Sequence, residues 1–582
     1  MFNVFRKDRT RKDHVRLDFT ELPMMAQRRN VPSAANYVEY TEARKKYSWK
    51  LIRSWLDQCL HHHTLRNACI HPSNSPLPYC PKRLIDVRNS IPRLVLKGTL
   101  ETIGQIEYAT LSYCWGGSMP EFGKTKSGTL ALHLESLELE LLPRTFRDAI
   151  EIAQGLNIPF LWIDALCIVQ DSRYDWEEQA ALMGAIYSGS MLTIAASVSN
   201  HCDGGCLIIQ PELQNLGPED VPESENLEGR TSPAPRLIDS GVNWALAGFG
   251  PDSRTTWSKS FEGNPLLSRG WTLQERELSP RIVYFTATQI LWECRSSRLS
   301  ELFPRGEPHV NSRAEKRIRC LDVPESAWRG LDAPTSAERQ AAIDGVTYEE
   351  RMYAWRKTVE DYSGRSFTKT EDRFPALHGL AMELQRFTGD AYIAGLWRRN
   401  LSLGLAWFVS QTHKLKDGSL IETTCARGYN FPTWSWMSVI EPAMWARPSR
   451  PSPPQPVFAS HIRREGLRIS IISASVESQG DRYIGRIRLR GRGKHYTQGL
   501  AGAGHEDDRS PGTILYDIPS RRIVGEEVLV MSLDVIQRDE LQALGIVLVP
   551  TGEENEFERI GLLNGICLEW FEDGEDAEIS IV

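Results

Sequence analysis

The stretch Leu266–Phe285, LLSRGWTLQERELSPRIVYF, places Trp271 and Glu275 four residues apart. On a helix this spacing puts both side chains on one face. A carboxylate there can stabilise the positive charge that develops when an N-glycosidic bond breaks, by the logic of glycoside hydrolysis. Two interpretations follow. Trp271 could line a binding site into which Glu275 points, or Trp271 could be a core residue beside a glutamate that pairs with Arg269 or Arg276.

Polar and aromatic side chains also end two predicted strands upstream. YATLSYCW ends with Ser112 and Trp115, and LWIDAL delivers Asp164. Ligands of open α/β sheets gather at such carboxyl ends. Arginine can bind phosphate bidentately, and tryptophan can stack on a planar ring. Together these groups could form a nucleotide site without a metal, or the tryptophans could be core residues. The candidate substrate-binding residues are Ser112, Trp115, Asp164, Arg269 and Trp271, with Glu275 as the carboxylate of the site.

Three other motifs could indicate zinc binding, thiol catalysis or phosphate binding. A cluster between positions 59 and 80 could supply zinc ligands, although its spacing is irregular. Its members are Cys59, His61, His62, His63, Cys69, His71 and Cys80. Cys114 and Cys167 lie near strand ends, but a thiol nucleophile needs a histidine base nearby in space. GSMPEFGKT departs from a P-loop, because five residues separate Gly117 from Gly123 where that motif has four.

Strands and helices alternate from Tyr108 onwards. YATLSYCW, IPFLWIDALCI and MLTIAAS are predicted strands, and the second reads as one continuous buried strand. RTFRDAIEIAQGL, with Thr145 as its N-cap, and DWEEQAALMGAIYSGS are predicted helices. Right-handed crossovers in this order predict an α/β fold with a doubly wound parallel sheet.

The flanking regions differ in composition from this core. We expect an N-terminal helix and strands, the α/β domain with a flexible polar insertion, a mainly helical extension, a Pro-rich linker and a mostly β C-terminal region. The predicted boundaries, in that order, are 1–105, 106–295 with the insertion at 209–262, 296–446, 447–456 and 457–582.

Bulk properties narrow the class of protein. The chain has 582 residues, which is too long for one ordinary domain, and its 41% hydrophobic and 25% charged residues are typical of globular proteins. A net charge of −7 gives no general electrostatic case for binding nucleic acid or a membrane. Eleven scattered cysteines suit a reducing compartment. We expect a cytoplasmic protein without a membrane span.

Three blocks carry a family resemblance. YATLSYCWGG, LWIDALCIVQDSRYDWEEQAALMGAIYSGSMLTIAAS and RGWTLQERELSPRIVYF resemble the three blocks of the fungal heterokaryon incompatibility (HET) domain, in the family's order, over about 106–280. The resemblance implies a fungal protein of the non-self recognition class. Some members of that class trigger programmed cell death when incompatible strains fuse.

The HET domain is in turn similar to TIR domains, which are flavodoxin-like. Some TIR domains cleave NAD with a glutamate on a helix that begins with a tryptophan-containing motif. This similarity implies that Glu275 is the catalyst of an NAD glycohydrolase, with NAD as substrate and no cofactor, and that the HET domain self-associates. The alternatives are a non-enzymatic signalling module that associates with itself or a protein partner, and a family member without death activity.

Overall fold

The structure is a computed structural model, in which the chain divides into two compact units. The first unit comprises Met1–Leu267, Glu275–Lys316 and Leu331–Arg339, and the second comprises Ser268–Gln274, Arg317–Gly330 and Gln340–Val582. The structure describes residues 38–39, 42–62, 80–101, 106–209, 260–261, 264–287, 289–294, 297–301, 304, 347–409, 431–439, 443–445, 469–479, 482–497, 513–517, 527–537, 541–571 and 573–582.

Helices and strands alternate through the first unit. The helices are α1 (Glu42–His62), α2 (Lys97–Glu101), α3 (Leu130–Glu135), α4 (Arg144–Gly155), α5 (Asp164–Cys167), α6 (Arg173–Ser188) and α7 (Trp271–Leu278), whose first four residues belong to the second unit. The strands are β1 (Val38–Glu39), β2 (Arg83–Asp86), β3 (Arg93–Leu96), β4 (Tyr108–Ser112), β5 (Phe160–Trp162), β6 (Leu192–Ala196), β7 (Ile208–Ile209), β8 (Arg281–Phe285), β9 (Ile290–Cys294) and β10 (Arg298–Ser300).

An eight-stranded mixed sheet forms the centre of the first unit. Its order is β10-β9-β8-β6-β4-β5-β2-β3. The four central strands β8, β6, β4 and β5 are parallel, and two antiparallel strands flank them on each side. The mixed helix and strand architecture with its parallel strands is as expected, but the sheet as a whole is mixed. Every residue of β4, β6 and β8 is buried, which is typical of parallel strands covered on both faces.

Two local details differ from the sequence predictions. Thr145 is not the N-cap of α4: the helix begins at Arg144 after Pro143, and the Thr145 hydroxyl accepts the Gly205 N–H at 3.0 Å. The predicted strand IPFLWIDALCI is shorter than expected, because α5 begins at Asp164. The Asp164 carboxylate accepts the Ala165 N–H at 2.7 Å, and such local side-chain bonds compete with a strand ladder.

The second unit combines short helices with a β barrel. Its helices are α8 (Tyr348–Ser363), α9 (Pro375–Thr388) and α10 (Leu401–Gly404). Its strands are β11 (Tyr392–Ile393), β12 (Leu396–Trp397), β13 (Trp407–Val409), β14 (Ala443–Trp445), β15 (Ser470–Gln479), β16 (Arg482–Thr497), β17 (Thr513–Tyr516), β18 (Glu527–Gln537), β19 (Leu541–Pro550), β20 (Glu556–Cys567) and β21 (Glu575–Ile581).

The barrel closes through the last strand. Strands β16, β18, β19 and β20 pair in sequence, and β21 pairs with both β20 and β16. This ring confirms the predicted β character of the C-terminal region. Inside the second unit, buried Arg559 pairs with Asp517 at 2.8 Å and lies over the Trp407 ring. A buried guanidinium needs such partners, because an unpaired buried charge is strongly destabilising.

Some predicted segments fall outside the description. The linker 447–456 lies wholly outside the described residues, and so does most of the insertion 209–262. Among the helices of the described part of the chain, none combines the length and apolar character that crossing a bilayer requires.

Candidate functional site

A hydrogen bond joins Ser112 to Glu275. Ser112 is the last residue of β4, and its hydroxyl donates to Glu275 Oε2 on α7. Both residues belong to the first unit, and the side chains are 6% and 8% exposed. The structure thus brings together two predicted site residues, 163 positions apart, at the carboxyl end of a central parallel strand.

A chain of buried hydroxyls supports the backbone of Glu275. Thr110 Oγ1 lies 2.7 Å from Thr193 Oγ1, which lies 2.6 Å from Ser279 Oγ. Ser279 donates its hydroxyl hydrogen to the Glu275 carbonyl. A hydroxyl has one hydrogen to donate, so Thr193 donates to Ser279 and Thr110 donates to Thr193. This directed chain ties β4 and β6 to the helical turn that carries Glu275.

Arg276, the residue after Glu275, pairs with Glu293. Arg276 donates from Nε and Nη2 to Glu293 at 3.1 and 3.2 Å, and the Tyr284 hydroxyl donates to the same carboxylate at 2.7 Å. Burial, followed by the charge of Glu293, raises the pKa of Tyr284 well above its ordinary value. The Arg276 guanidinium is therefore bound to Glu293. The alternative pairing of Glu275 with Arg269 stays a prediction.

A second cluster surrounds Asp164. Its Oδ1 accepts from the Tyr113 hydroxyl at 2.7 Å, and its Oδ2 accepts from Trp115 Nε1 at 2.8 Å. Burial, and then the Asp164 charge, raises the pKa of Tyr113 well above its ordinary value. Both carboxylate oxygens thus bond protein groups, so Asp164 orients the Trp115 ring in the loop after β4.

The two clusters lie on different sides of β4. Ser112 bonds to α7, whereas the Tyr113 ring packs edge-on against Phe146 of α4 with centroids 5.1 Å apart. Successive side chains of an extended chain point to opposite faces. Ser112 and Glu275 therefore share one face, and Tyr113 with Asp164 belongs to the other.

The structure assigns Arg269 and Trp271 to the second unit. There Trp271 Nε1 donates to Asp372 Oδ2 at 3.1 Å, and Arg365 Nη1 donates to the Arg269 carbonyl at 3.1 Å. Substrate binding by Arg269 and Trp271 stays a prediction.

Sequence reasoning missed three buried hydroxyl residues of the first unit. Thr193, Ser197 and Ser279 are buried in the first unit. Thr193 stands in the apolar run MLTIAAS, where a lone hydroxyl was the available signal. A period-two pattern assigns Thr193 to a face, but it does not indicate which distant hydroxyl will meet it.

The thiol and metal alternatives gain no support in the described part of the chain. Burial raises the pKa of the Cys167 thiol to about 12, and Cys114 packs into an apolar cluster with Ala195 and Tyr284. Cys59 Sγ accepts from Arg281 Nε at 3.2 Å. No three metal-ligating side chains come together among the described residues, and His63, Cys69 and His71 lie outside them.

A comparison with protein-family models matches one part of the chain. The family model described as heterokaryon incompatibility protein (HET) matches residues 108–275. No curated protein and no solved structure matches the chain. The matched segment begins with Tyr108, the first residue of β4, and ends with Glu275 in α7. Residues 108–275, which span β4 to α7, therefore match a HET domain, and the match supports the heterokaryon incompatibility class.

Proposed function

We propose that this HET domain cleaves NAD with Glu275 as the catalytic residue, and that this activity triggers programmed cell death in non-self recognition. The observation that carries the proposal is the Ser112–Glu275 hydrogen bond at the carboxyl end of β4. An ionised carboxylate in a low-dielectric setting is suited to stabilise a developing cation.

The reaction uses that carboxylate twice. The bond between the ribose C1′ and the nicotinamide nitrogen breaks, and its electron pair leaves with nicotinamide, which becomes neutral. The positive charge left on the ribose is stabilised by Glu275, as carboxylates do in glycoside hydrolysis. Water then adds to C1′ and gives a proton to Glu275, which releases it to solvent.

The topology supports a ligand at this place. The parallel strands lie in the order β5-β4-β6-β8, which is 2-1-3-4 in chain order. Flavodoxin-like sheets have this order, and they bind ligands where connections diverge from the first strand, here between β4 and β6. Helices α4 and α7 approach β4 from opposite sides, in keeping with a doubly wound, TIR-like arrangement.

The test compares two glutamates of one helix. Glu275→Gln is expected to lower the rate of nicotinamide release from NAD by about 100-fold or more. Glu277→Gln is the matched control, because Glu277 is also buried on α7, and its rate should stay within a few-fold of wild type. If self-association activates the domain, the rate of nicotinamide release per mole of protein should rise with protein concentration. Equal rates in wild type and a folded Glu275→Gln protein would refute the assignment.

A second candidate function is a non-enzymatic module that acts by association. The burial of Glu275 favours it, because a buried carboxylate that accepts a hydrogen bond from Ser112 can serve as a structural element of the core. This candidate predicts that expression of folded Glu275→Gln protein is as toxic to cells as wild type. The enzymatic proposal predicts that toxicity and nicotinamide release disappear together.

A further inference from the structure

Ser197 carries a buried hydroxyl that has no hydrogen-bond partner in the described part of the chain. The residue follows β6 directly and is 5% exposed. Its backbone N–H donates to the Phe285 carbonyl at 3.1 Å, so the ladder between β6 and β8 extends to this position. Ser197 is therefore held in the sheet, at the carboxyl end of the strand next to β4.

The side chain of Ser197 shares a face with the Ser112–Glu275 pair. Thr193 bonds to Ser279 of the α7 side, and Ala195 packs with Cys114 in one apolar cluster. Side chains of a strand alternate with a period of two, so Ser197 continues the series of Thr193 and Ala195. Ala195 is the register partner of Ser112, which places Ser197 about 6.6 Å farther towards the carboxyl edge.

A buried hydroxyl without a partner destabilises a folded protein, because it has lost its bonds to water and gained none. Native structures contain few such groups, and each one requires an explanation. Ser190, at the other end of β6, shows the ordinary arrangement: its buried hydroxyl donates to the Tyr187 carbonyl at 2.8 Å. The contrast between Ser190 and Ser197 points to a ligand at the carboxyl end.

We propose that Ser197 is a substrate-binding residue whose hydroxyl bonds a hydroxyl group of the nicotinamide ribose. The inference rests on the proposed function. The chemistry favours a sugar hydroxyl over a phosphate, because the Glu275 carboxylate on the same face repels an anion. A sugar hydroxyl can donate to one oxygen and accept from another, and Ser197 offers both capacities.

The experiment compares Ser197→Ala with Ser190→Ala in the Glu275→Gln background, where NAD persists. Ser197→Ala is expected to raise Tm by about 1–2 °C, because it removes the unpartnered hydroxyl. It should also weaken NAD binding about 3- to 10-fold by calorimetry. Ser190→Ala should lower Tm and leave NAD affinity unchanged. Binding of nicotinamide, which lacks the ribose, should be the same in both variants.

The outcomes separate this inference from the proposed function. If the Glu275→Gln parent binds no NAD, the proposed function and the ribose assignment fall together. If the parent binds NAD and Ser197→Ala binds it equally well, the inference alone is overturned. A fall in Tm or a loss of folding in Ser197→Ala would also overturn it, because the hydroxyl would then have a structural partner.

Discussion

At the scale of single residues, hydroxyl groups bond both the side chain and the backbone carbonyl of Glu275. Ser112 bonds the carboxylate, and Thr110, Thr193 and Ser279 form the chain that ends on the Glu275 carbonyl. These hydrogen bonds hold the helical turn that carries Glu275 in place. The cation next in sequence, Arg276, is bound by Glu293.

Thr193 is the central link of that chain, and its removal should be measurable. Thr193→Val keeps the shape of the side chain but leaves the Thr110 and Ser279 hydroxyls without this partner. We expect a loss of about 1–3 kcal/mol in the free energy of unfolding, measured with urea. Thr193→Ser retains the hydroxyl and should lose less free energy of unfolding. If the Thr193→Val and Thr193→Ser proteins are equally stable, the series of bonded hydroxyls contributes nothing to stability.

The sequence alone indicated part of this site. Ser112 and Glu275 could be predicted because a polar side chain at a strand end and a carboxylate on an amphipathic helix carry a recognisable pattern. Thr193 and Ser197 could not, because isolated hydroxyls in an apolar strand form no motif. Their role depends on which distant side chains face them, and register between strands far apart in sequence is set by the tertiary fold.

At the scale of elements, the loop after β4 depends on a glycine. Gly116 has φ +78°, and an added Cβ would lie 2.5 Å from His201 Cβ. We predict that Gly116→Ala destabilises the protein by about 2 kcal/mol or more, through left-handed backbone strain and this clash. Gly117→Ala is the matched control, because an added Cβ there meets nothing within 4 Å. Similar urea midpoints for the two variants would contradict the described loop conformation.

Helix α3 carries a histidine that should make stability depend on pH. His133 is buried, its Nδ1 lies 2.8 Å from Thr125 Oγ1, and burial lowers its pKa from the ordinary value of 6.5. The unfolded chain then takes up a proton at a higher pH than the folded chain. Stability from His133 is complete above about pH 6.5 and is lost as the pH falls towards the folded-state pKa.

The measurement is the free energy of unfolding between pH 7.5 and 5. We expect His133→Gln to lose less stability over this range than wild type. Part of the decline should remain, because burial also lowers the pKa of His378. His201→Gln, which alters an exposed histidine, should follow the wild-type curve. An unchanged decline in His133→Gln would contradict the assigned burial.

The sequence predicted some helices and strands better than others. The helices α4 and α6 follow from their apolar spacing, and the strands β4 and β6 follow from short apolar runs between those helices. The run IPFLWIDALCI was misread as one strand, because an uninterrupted apolar stretch does not distinguish a buried strand from a strand followed by a buried helical turn. The antiparallel flanks of the sheet depend on pairing between distant segments, which local patterns do not encode.

At the scale of the whole molecule, a mixed α/β unit with a HET domain and a unit with a β barrel make up one chain. The division runs through α7: Trp271–Gln274 belong to the second unit and Glu275–Leu278 to the first. The sequence could not reveal this, because helical periodicity indicates which residues share a face and not which distant segment covers it.

The central claim is that Ser112, Ser197 and Glu275 form one binding site for the nicotinamide ribose of NAD. A crystal structure of the Glu275→Gln protein grown with NAD tests it most directly. We expect a ribose hydroxyl within about 3.2 Å of Ser197 Oγ and C1′ next to the side chain at position 275. NAD bound elsewhere, with the Ser197 hydroxyl bonded to a protein group or water, would contradict the account.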